Sequence, residues 1–173
     1  MFSNCKYLVK VPNLPATTLA EYCYQSMFES CSSLTTIPSN LLPATTLVDY
    51  CYSNMFRGCT GLTTIPELPA TTLKTECYSY MFGGCTSLTT IPEGWYLPAQ
   101  TTASYSYYGM FSSCSKLQKM AVSYLGVINA DHWSNFLDNV SSTGTFYYSK
   151  YQTEENIRPI VPSGWTLVQS AAW

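Results

Sequence analysis

The residues best suited to chemistry in this chain are its eight cysteines and its single histidine, His132. Within a repeat unit the cysteines lie eight residues apart, as Cys23 and Cys31 do. Structural zinc sites usually take pairs of ligands from positions about two to four residues apart, and they often add histidines. The spacing therefore argues against zinc, and we expect no metal and no cofactor.

Disulfide bridges within a unit are also disfavoured by this spacing. If the segment between the two cysteines is helical, eight residues span about 12 Å, whereas a disulfide needs α-carbons within about 7 Å. A bridge to the next unit, such as Cys31 to Cys51, stays open. The simplest interpretation is a ladder of buried free thiols that pack as small hydrophobic side chains.

Catalytic constellations find little support in the sequence. Asp131 precedes His132, but neighbours in sequence do not form a catalytic triad. Asp131 is better explained as a helix cap with His132 exposed, and Glu154 and Glu155 as a solvated surface pair. The sequence also has no glycine-rich phosphate-binding loop, so we predict that the chain is not an enzyme.

The elements that position these residues repeat along the chain. The pattern Met-Phe-x-x-Cys-x-x-Leu begins at Met27, Met55, Met81 and Met110, and a first copy begins at Met1. The steps between copies are 26, 28, 26 and 29 residues. A period in this range indicates a solenoid, in which each unit buries its apolar face against its neighbours. Because the first copy opens in the middle of a unit, we expect either a preceding part of a longer protein or end-to-end self-association at this open turn.

Each unit is predicted to contain one short amphipathic helix and one short strand. Residues 46–58 repeat apolar side chains at helical spacing, and Gly58 suits the end of a helix. The Leu-Thr-Thr-Ile-Pro segment that follows is rich in β-branched residues and ends in proline, as a short strand would. Stacked strands would form a parallel sheet whose threonines, Thr63 and Thr89 among them, make a ladder.

The C-terminal third leaves this pattern. We predict a repeat domain of residues 1–119, with a truncated first unit and four further units, and a C-terminal α/β cap of residues 120–173. Within the cap a helix is predicted around Trp133 and two strands over 144–148 and 165–168.

Composition limits the classes of partner. Hydrophobic residues make up 46% of the chain and charged residues only 10%, against about 25% charged in an ordinary soluble domain. The net charge is −2, and without a basic patch we expect no nucleic-acid partner. No apolar run approaches the roughly 18 residues of a membrane helix, so membrane insertion is not expected. We expect no signal peptide within residues 1–173.

Candidate binding residues lie where the units differ. Only the segment between the two prolines of each unit varies in length, and such loops in solenoids often line a binding face. The longest, Glu93-Gly94-Trp95-Tyr96, places two large aromatic side chains in a loop, although Trp95 could instead fold down over the fourth unit or over the junction with the cap. Three tyrosines also recur on the polar side of the predicted helix, where their rings could meet a ligand or pack on the next turn. The candidate ligand-binding residues are Trp95, Tyr96, Ser39, Asn40, Tyr22, Tyr50, Tyr105, Thr63 and Thr89.

The repeat unit resembles a known family. Its sequence Leu-Pro-Ala-Thr-Thr-Leu, then Cys-Tyr-x-x-Met-Phe-x-Gly-Cys-Thr-x-Leu-Thr-x-Ile-Pro, is similar to the BspA-like leucine-rich repeats of bacterial surface proteins of the Bacteroidetes type. The similarity covers residues 1 to about 120, and Phe82, Gly84, Cys85 and Leu88 fall in the family's order. The resemblance implies an α/β repeat fold: a right-handed leucine-rich-repeat solenoid with one short strand and one short helix per turn. It also implies an extracellular or cell-surface location and an adhesion-like role without catalysis.

Three functions remain open at this point. The leading hypothesis is a non-catalytic surface or secreted module that binds a host or neighbouring-cell protein through its variable loops and threonine-lined sheet. The second is a carbohydrate-binding module that uses Trp95, Tyr96 and the exposed tyrosines. The third is an architectural spacer within a larger surface protein.

Overall fold

The computed structural model describes residues 1–92, 95–99, 102–124, 126 and 128–170. Its regular elements are β1 (Tyr96–Leu97), β2 (Lys119–Tyr124), α1 (Ala130–Trp133), β3 (Gly144–Ser149), α2 (Glu154–Ile157), a 3-10 helix (Arg158–Ile160) and β4 (Trp165–Ser170). The four strands form one parallel sheet in the order β1-β2-β3-β4. The strands predicted over 144–148 and 165–168 are therefore confirmed.

The predicted helix of each unit is wrong. In its place lie turn segments, which we define as residues 20–31, 48–59, 74–85 and 103–114, where overlapping β-turns follow one another. In the first of them, the amides of Cys23, Gln25 and Met27 donate to carbonyls three residues earlier. Tyr22 and Ser26, which lie inside the first and third of these turns, have φ values of 59° and 52°, which a right-handed helix cannot contain.

The physical reason is that half of the backbone amides of a turn segment bind the next segment. In the first segment, the amides of residues 22, 24, 26, 28 and 30 donate to carbonyls of residues 49, 51, 53, 55 and 57, at distances of 2.7–3.2 Å. The same pattern links the later segments. A helix would use all of its interior amides internally, so stacking between units replaces helical bonding. Two turns cover four residues, and this produces the apolar spacing that resembles a helix.

Two acidic residues near the turn segments and α1, Asp49 and Asp131, do not cap a helix. The side chain of Asp49 accepts a hydrogen bond from the amide of Thr75 in the next unit, at 2.9 Å. Near α1 the cap is Asn129, whose side chain accepts from the amide of Asp131. Asp131 itself is therefore not the cap residue, and His132 is half-buried and not exposed.

The predicted threonine strands are also wrong as strands. Segments 34–38, 62–66 and 88–92 lie within the described part of the chain, yet only Thr90 makes a β-bridge there, to Lys119. A partial ladder exists, because the amide and the hydroxyl of Thr63 both donate to the carbonyl of Thr35, each at 2.9 Å. The next potential ladder bond is taken by a side chain: the amide of Ile37 donates to the hydroxyl of Thr64 at 3.2 Å. Such side-chain bonds compete with a regular sheet ladder.

The core consists of rows of identical side chains at equivalent positions of successive units. Adjacent phenylalanine rings are stacked with centroids 5.4–5.8 Å apart, and adjacent tyrosine rings 5.8–6.0 Å apart. These distances suit favourable aromatic contacts. The recurrence of Tyr24, Tyr52, Tyr78 and Tyr107 at one position of the unit predicts a stacked structural row, and this prediction is confirmed. The rows are Phe2, Phe28, Phe56, Phe82 and Phe111, and Tyr24, Tyr52, Tyr78 and Tyr107.

The stacking pattern continues past residue 119. The amides of Tyr107, Gly109 and Phe111 donate to carbonyls of residues 132, 134 and 136, as earlier segments donate to one another. Asn135 and Asn139 repeat the left-handed backbone at a spacing of four residues. The division of the chain into a repeat domain and a cap stays a prediction.

Candidate functional site

Several predicted residues converge on one groove, although they come from different units. We call it the threonine groove, and its volume is about 550 Å³. This volume lies within the range of about 300–1,000 Å³ that is usual for ligand pockets. The groove is lined by Ser39, Thr63, Thr64, Ile65, Glu67, Thr90, Pro92 and Trp95.

Trp95 forms a wall of the groove and not a projecting aromatic. Its side chain is only 6% exposed, and its indole N–H donates to the carbonyl of Pro66 at 3.1 Å. The ring packs edge-to-face on Phe111 of the fourth unit, with centroids 5.9 Å apart. The alternative noted from the sequence, in which Trp95 covers this unit, is the one observed. Glu93 and Gly94 of the same loop lie outside the described residues.

The threonines give the groove its polar surface. Thr63 and Thr90 are exposed, and the hydroxyls of Thr63 and Thr64 are oriented by the bonds to Thr35 and Ile37 described above. Thr64 and Thr90 were not among the candidate binding residues named from the sequence. Each is the second threonine of a Thr-Thr pair whose first member, Thr63 or Thr89, was named. The repeat itself was the signal that could have found them.

Other predicted residues do not line the groove. Asn40, the residue after the groove-lining Ser39, is exposed and lies outside the groove. Thr89 is exposed, and its carbonyl accepts from the amides of residues 118 and 119 at 3.0 and 3.3 Å. Tyr96 is 42% exposed on β1 and pairs with Ser123.

The three recurring tyrosines lie on the turn segments. Tyr22 and Tyr105 are 49% and 44% exposed, and Tyr50 is half-buried. The rings of Tyr22 and Tyr50 stack with centroids 4.8 Å apart. The negative charge of Glu76 raises the pKa of Tyr50 above its ordinary value. Packing on the next turn, one of the two roles open from the sequence, thus holds for Tyr22 on Tyr50.

Buried thiols of the described chain are poor nucleophiles. Six cysteines are buried, while Cys5 and Cys23 are exposed, so the expectation of burial is wrong for these two. Burial raises the pKa of Cys59 to about 12 and holds that of Cys85 well above its ordinary value. Because the thiolate is the reactive form, these groups stay protonated and inert near neutral pH.

The single histidine has a local partner. Its Nδ1 lies 2.6 Å from the hydroxyl of Thr102. Among the described residues, no group of three or more His, Cys, Asp or Glu side chains is placed to hold a metal ion. The described part of the chain likewise contains no helix long and apolar enough to cross a membrane.

Stacked turn segments, rows of identical core residues and a groove built across units define a repeat protein of the leucine-rich type. The chain belongs to the family of the BspA type leucine rich repeat region, whose six copies match residues 1–92 and 42–142. This family implies a repeat solenoid, is typically non-catalytic and is common in surface proteins. Neither the curated proteins nor the solved structures yield a match to this chain.

Proposed function

We propose that this chain is a non-catalytic module of a bacterial surface or secreted protein, and that it binds a host or neighbouring-cell protein through the threonine groove. The proposal includes a right-handed solenoid closed by residues 120–173 as a C-terminal cap. The observation that carries it is the convergence of Ser39, Thr63 and Trp95, from three units, on a single groove.

The chemistry of the groove indicates the kind of segment that it would take. Ile65, Pro92 and Trp95 give it apolar surface, and oriented threonine hydroxyls offer hydrogen bonds. Glu67 is its one charged lining residue among those described. A neutral or basic segment of a protein, with an apolar side chain to bury, fits this lining better than an acidic one.

The test is binding of the purified protein to immobilised host-matrix proteins, such as collagen and laminin, with one groove-filling variant. Thr90→Arg introduces a long charged side chain into the groove from an exposed position, so we expect binding to fall at least tenfold. Thr166→Arg is the matched control, because Thr166 is also an exposed threonine but lies on β4. Equal binding by both variants would rule out the groove as the contact surface.

A further inference from the structure

A second concave site lies among the turn segments, and it does not share a residue with the threonine groove. We call it the tyrosine cleft; its volume is about 480 Å³. It is lined by Asn54, Arg57, Glu76, Ser79, Tyr80, Tyr105 and Tyr108.

The aromatic part of the cleft consists of three tyrosines, of which Tyr108 contacts the other two. The rings of Tyr80 and Tyr108 meet edge-to-face with centroids 5.2 Å apart, and those of Tyr105 and Tyr108 at 5.5 Å. The hydroxyl of Tyr108 accepts a hydrogen bond from the side-chain amide of Asn135 at 2.8 Å, which fixes the ring. Tyr105 keeps 44% of its surface exposed and therefore presents apolar ring surface to a ligand.

The polar part of the cleft is held in place before any ligand arrives. The guanidinium of Arg57 lies 5.0 Å from the ring centroid of Tyr80, and it donates to the side-chain oxygen of Asn54 at 3.3 Å. Glu76 supplies a carboxylate nearby. A planar guanidinium already oriented by such contacts loses less conformational entropy when it binds a ligand.

The left-handed backbone at two positions of the cleft is energetically unfavourable for tyrosine. Tyr80 and Tyr105 have φ values of 50° and 58°, a region that costs side chains other than Gly, Asn and Asp about 1–2 kcal/mol. Asn54 and Gly109 occupy the position of Tyr80 in the neighbouring units at φ 57°. A tyrosine kept at such cost, where the neighbouring units have Asn and Gly, is a signal of function for Tyr80. At the position of Tyr105 the earlier units also carry left-handed tyrosines, Tyr22 and Tyr50, so the case for Tyr105 rests on its exposure in the cleft.

We propose that the tyrosine cleft binds a neutral sugar, as one or two pyranose residues of a glycan. The C–H face of a pyranose packs on an exposed aromatic ring, and its hydroxyl groups pair with guanidinium, amide and carboxylate groups. One cation and one anion line the described cleft, so it offers no net positive charge to attract a phosphate or an acidic polymer. This site is independent of the protein-binding groove proposed above.

The test is saturation-transfer NMR of the purified protein with four disaccharides: N-acetyllactosamine, chitobiose, mannobiose and maltose. We expect at least one to bind, and Tyr105→Asn and Tyr80→Asn each to weaken that binding at least tenfold. Asparagine tolerates the left-handed backbone, so both variants should keep the melting temperature of the unmodified protein or exceed it.

Tyr22→Asn is the matched control, because it makes the same change at a left-handed position that does not line the cleft. It should bind the sugar as the unmodified protein does, and so should Thr90→Arg in the threonine groove. The proposal is overturned if none of the four disaccharides binds, or if binding persists in both Tyr80→Asn and Tyr105→Asn. Either result leaves the groove proposal standing, since the two sites are tested by different variants.

Discussion

The thiol of Cys59 donates a hydrogen bond to the backbone carbonyl of Phe28, 31 residues earlier, at 3.1 Å. The bond recurs in the other units, from Cys31 to the carbonyl of Phe2 and from Cys85 to that of Phe56, at 3.1 and 3.3 Å. Each of these buried thiols therefore also donates to a carbonyl of the preceding unit.

Thiol reactivity should divide the cysteines into two groups. Cys5 and Cys23 are exposed and should react with a chromogenic disulfide reagent within minutes, whereas the other six are buried. We expect two fast thiols in the native protein and eight in denaturant without reductant. Fewer than eight in denaturant would reveal a bridge, and Cys5→Ser with Cys23→Ser should abolish the fast phase.

Stability should fall in alkaline solution. Burial raises the pKa values of Cys51, Cys59 and Cys114 from 9.0 to about 12. Between pH 9 and 12 the unfolded chain therefore binds fewer protons than the folded one, so the free energy of unfolding decreases as pH rises. Each thiol lowers the folding equilibrium constant by up to about tenfold per pH unit in this window.

Urea unfolding at pH 8, 9, 10 and 11 under reducing conditions measures this effect. The raised pKa values of the buried tyrosines Tyr52 and Tyr78 act in the same direction. A midpoint that stays constant from pH 8 to 11 would contradict the burial of these groups.

The phenylalanine row predicts a gradient of mutational effects. Phe56 is fully buried between the rings of Phe28 and Phe82, so Phe56→Ala should reduce the free energy of unfolding by about 3–5 kcal/mol. Phe2 is half-buried and stacks only on Phe28 within the described row, so Phe2→Ala should cost less than half as much. Equal losses for the two variants, measured by urea unfolding, would argue against stacking as the source of stability.

Gly109 should be the least replaceable glycine of the turn segments. An alanine Cβ there would lie 2.5 Å from Cε1 of Tyr80, and φ is +57°. At Gly84 the backbone is also left-handed, with φ +73°, but the nearest heavy atom would be 3.7 Å away. Gly84→Ala should therefore cost about 1–2 kcal/mol, and Gly109→Ala should cost more.

Thermal unfolding of the two alanine variants measures this difference, and a double variant tests its cause. In a Tyr80→Ser background the close contact at residue 109 is removed, so the additional cost of Gly109→Ala should disappear. If it remains, the contact with the ring is not its source.

The repeat was predicted correctly from the sequence, whereas the backbone conformation within each unit was predicted wrongly. The spacing of Met27, Met55 and Met81 defines the unit, and Tyr52 and Tyr78 were placed correctly in a stacked row because identical residues at a fixed period must meet. The helix was wrong because two turns and one helical turn both bring every fourth residue to the same side.

A signal for the correct backbone was nevertheless present in the sequence. Asn54 and Gly58 are four residues apart, as Asn135 and Asn139 are, and all four adopt the left-handed region. Residues that favour this region do not belong at regular intervals inside a helix. The burial of Trp95 was less predictable, because its bond to the carbonyl of Pro66, 29 residues earlier, depends on the stacking of units.

Amides that bind only the following unit also determine how the molecule comes apart. If the second turn segment detaches, five amides of the first, those of residues 22, 24, 26, 28 and 30, lose their acceptors at once. The loss of one segment therefore destabilises its neighbour, and local unfolding proceeds from an end of the stack, one segment after another. Hydrogen–deuterium exchange should accordingly be fastest in the outermost segments and slowest in the middle, around residues 74–85.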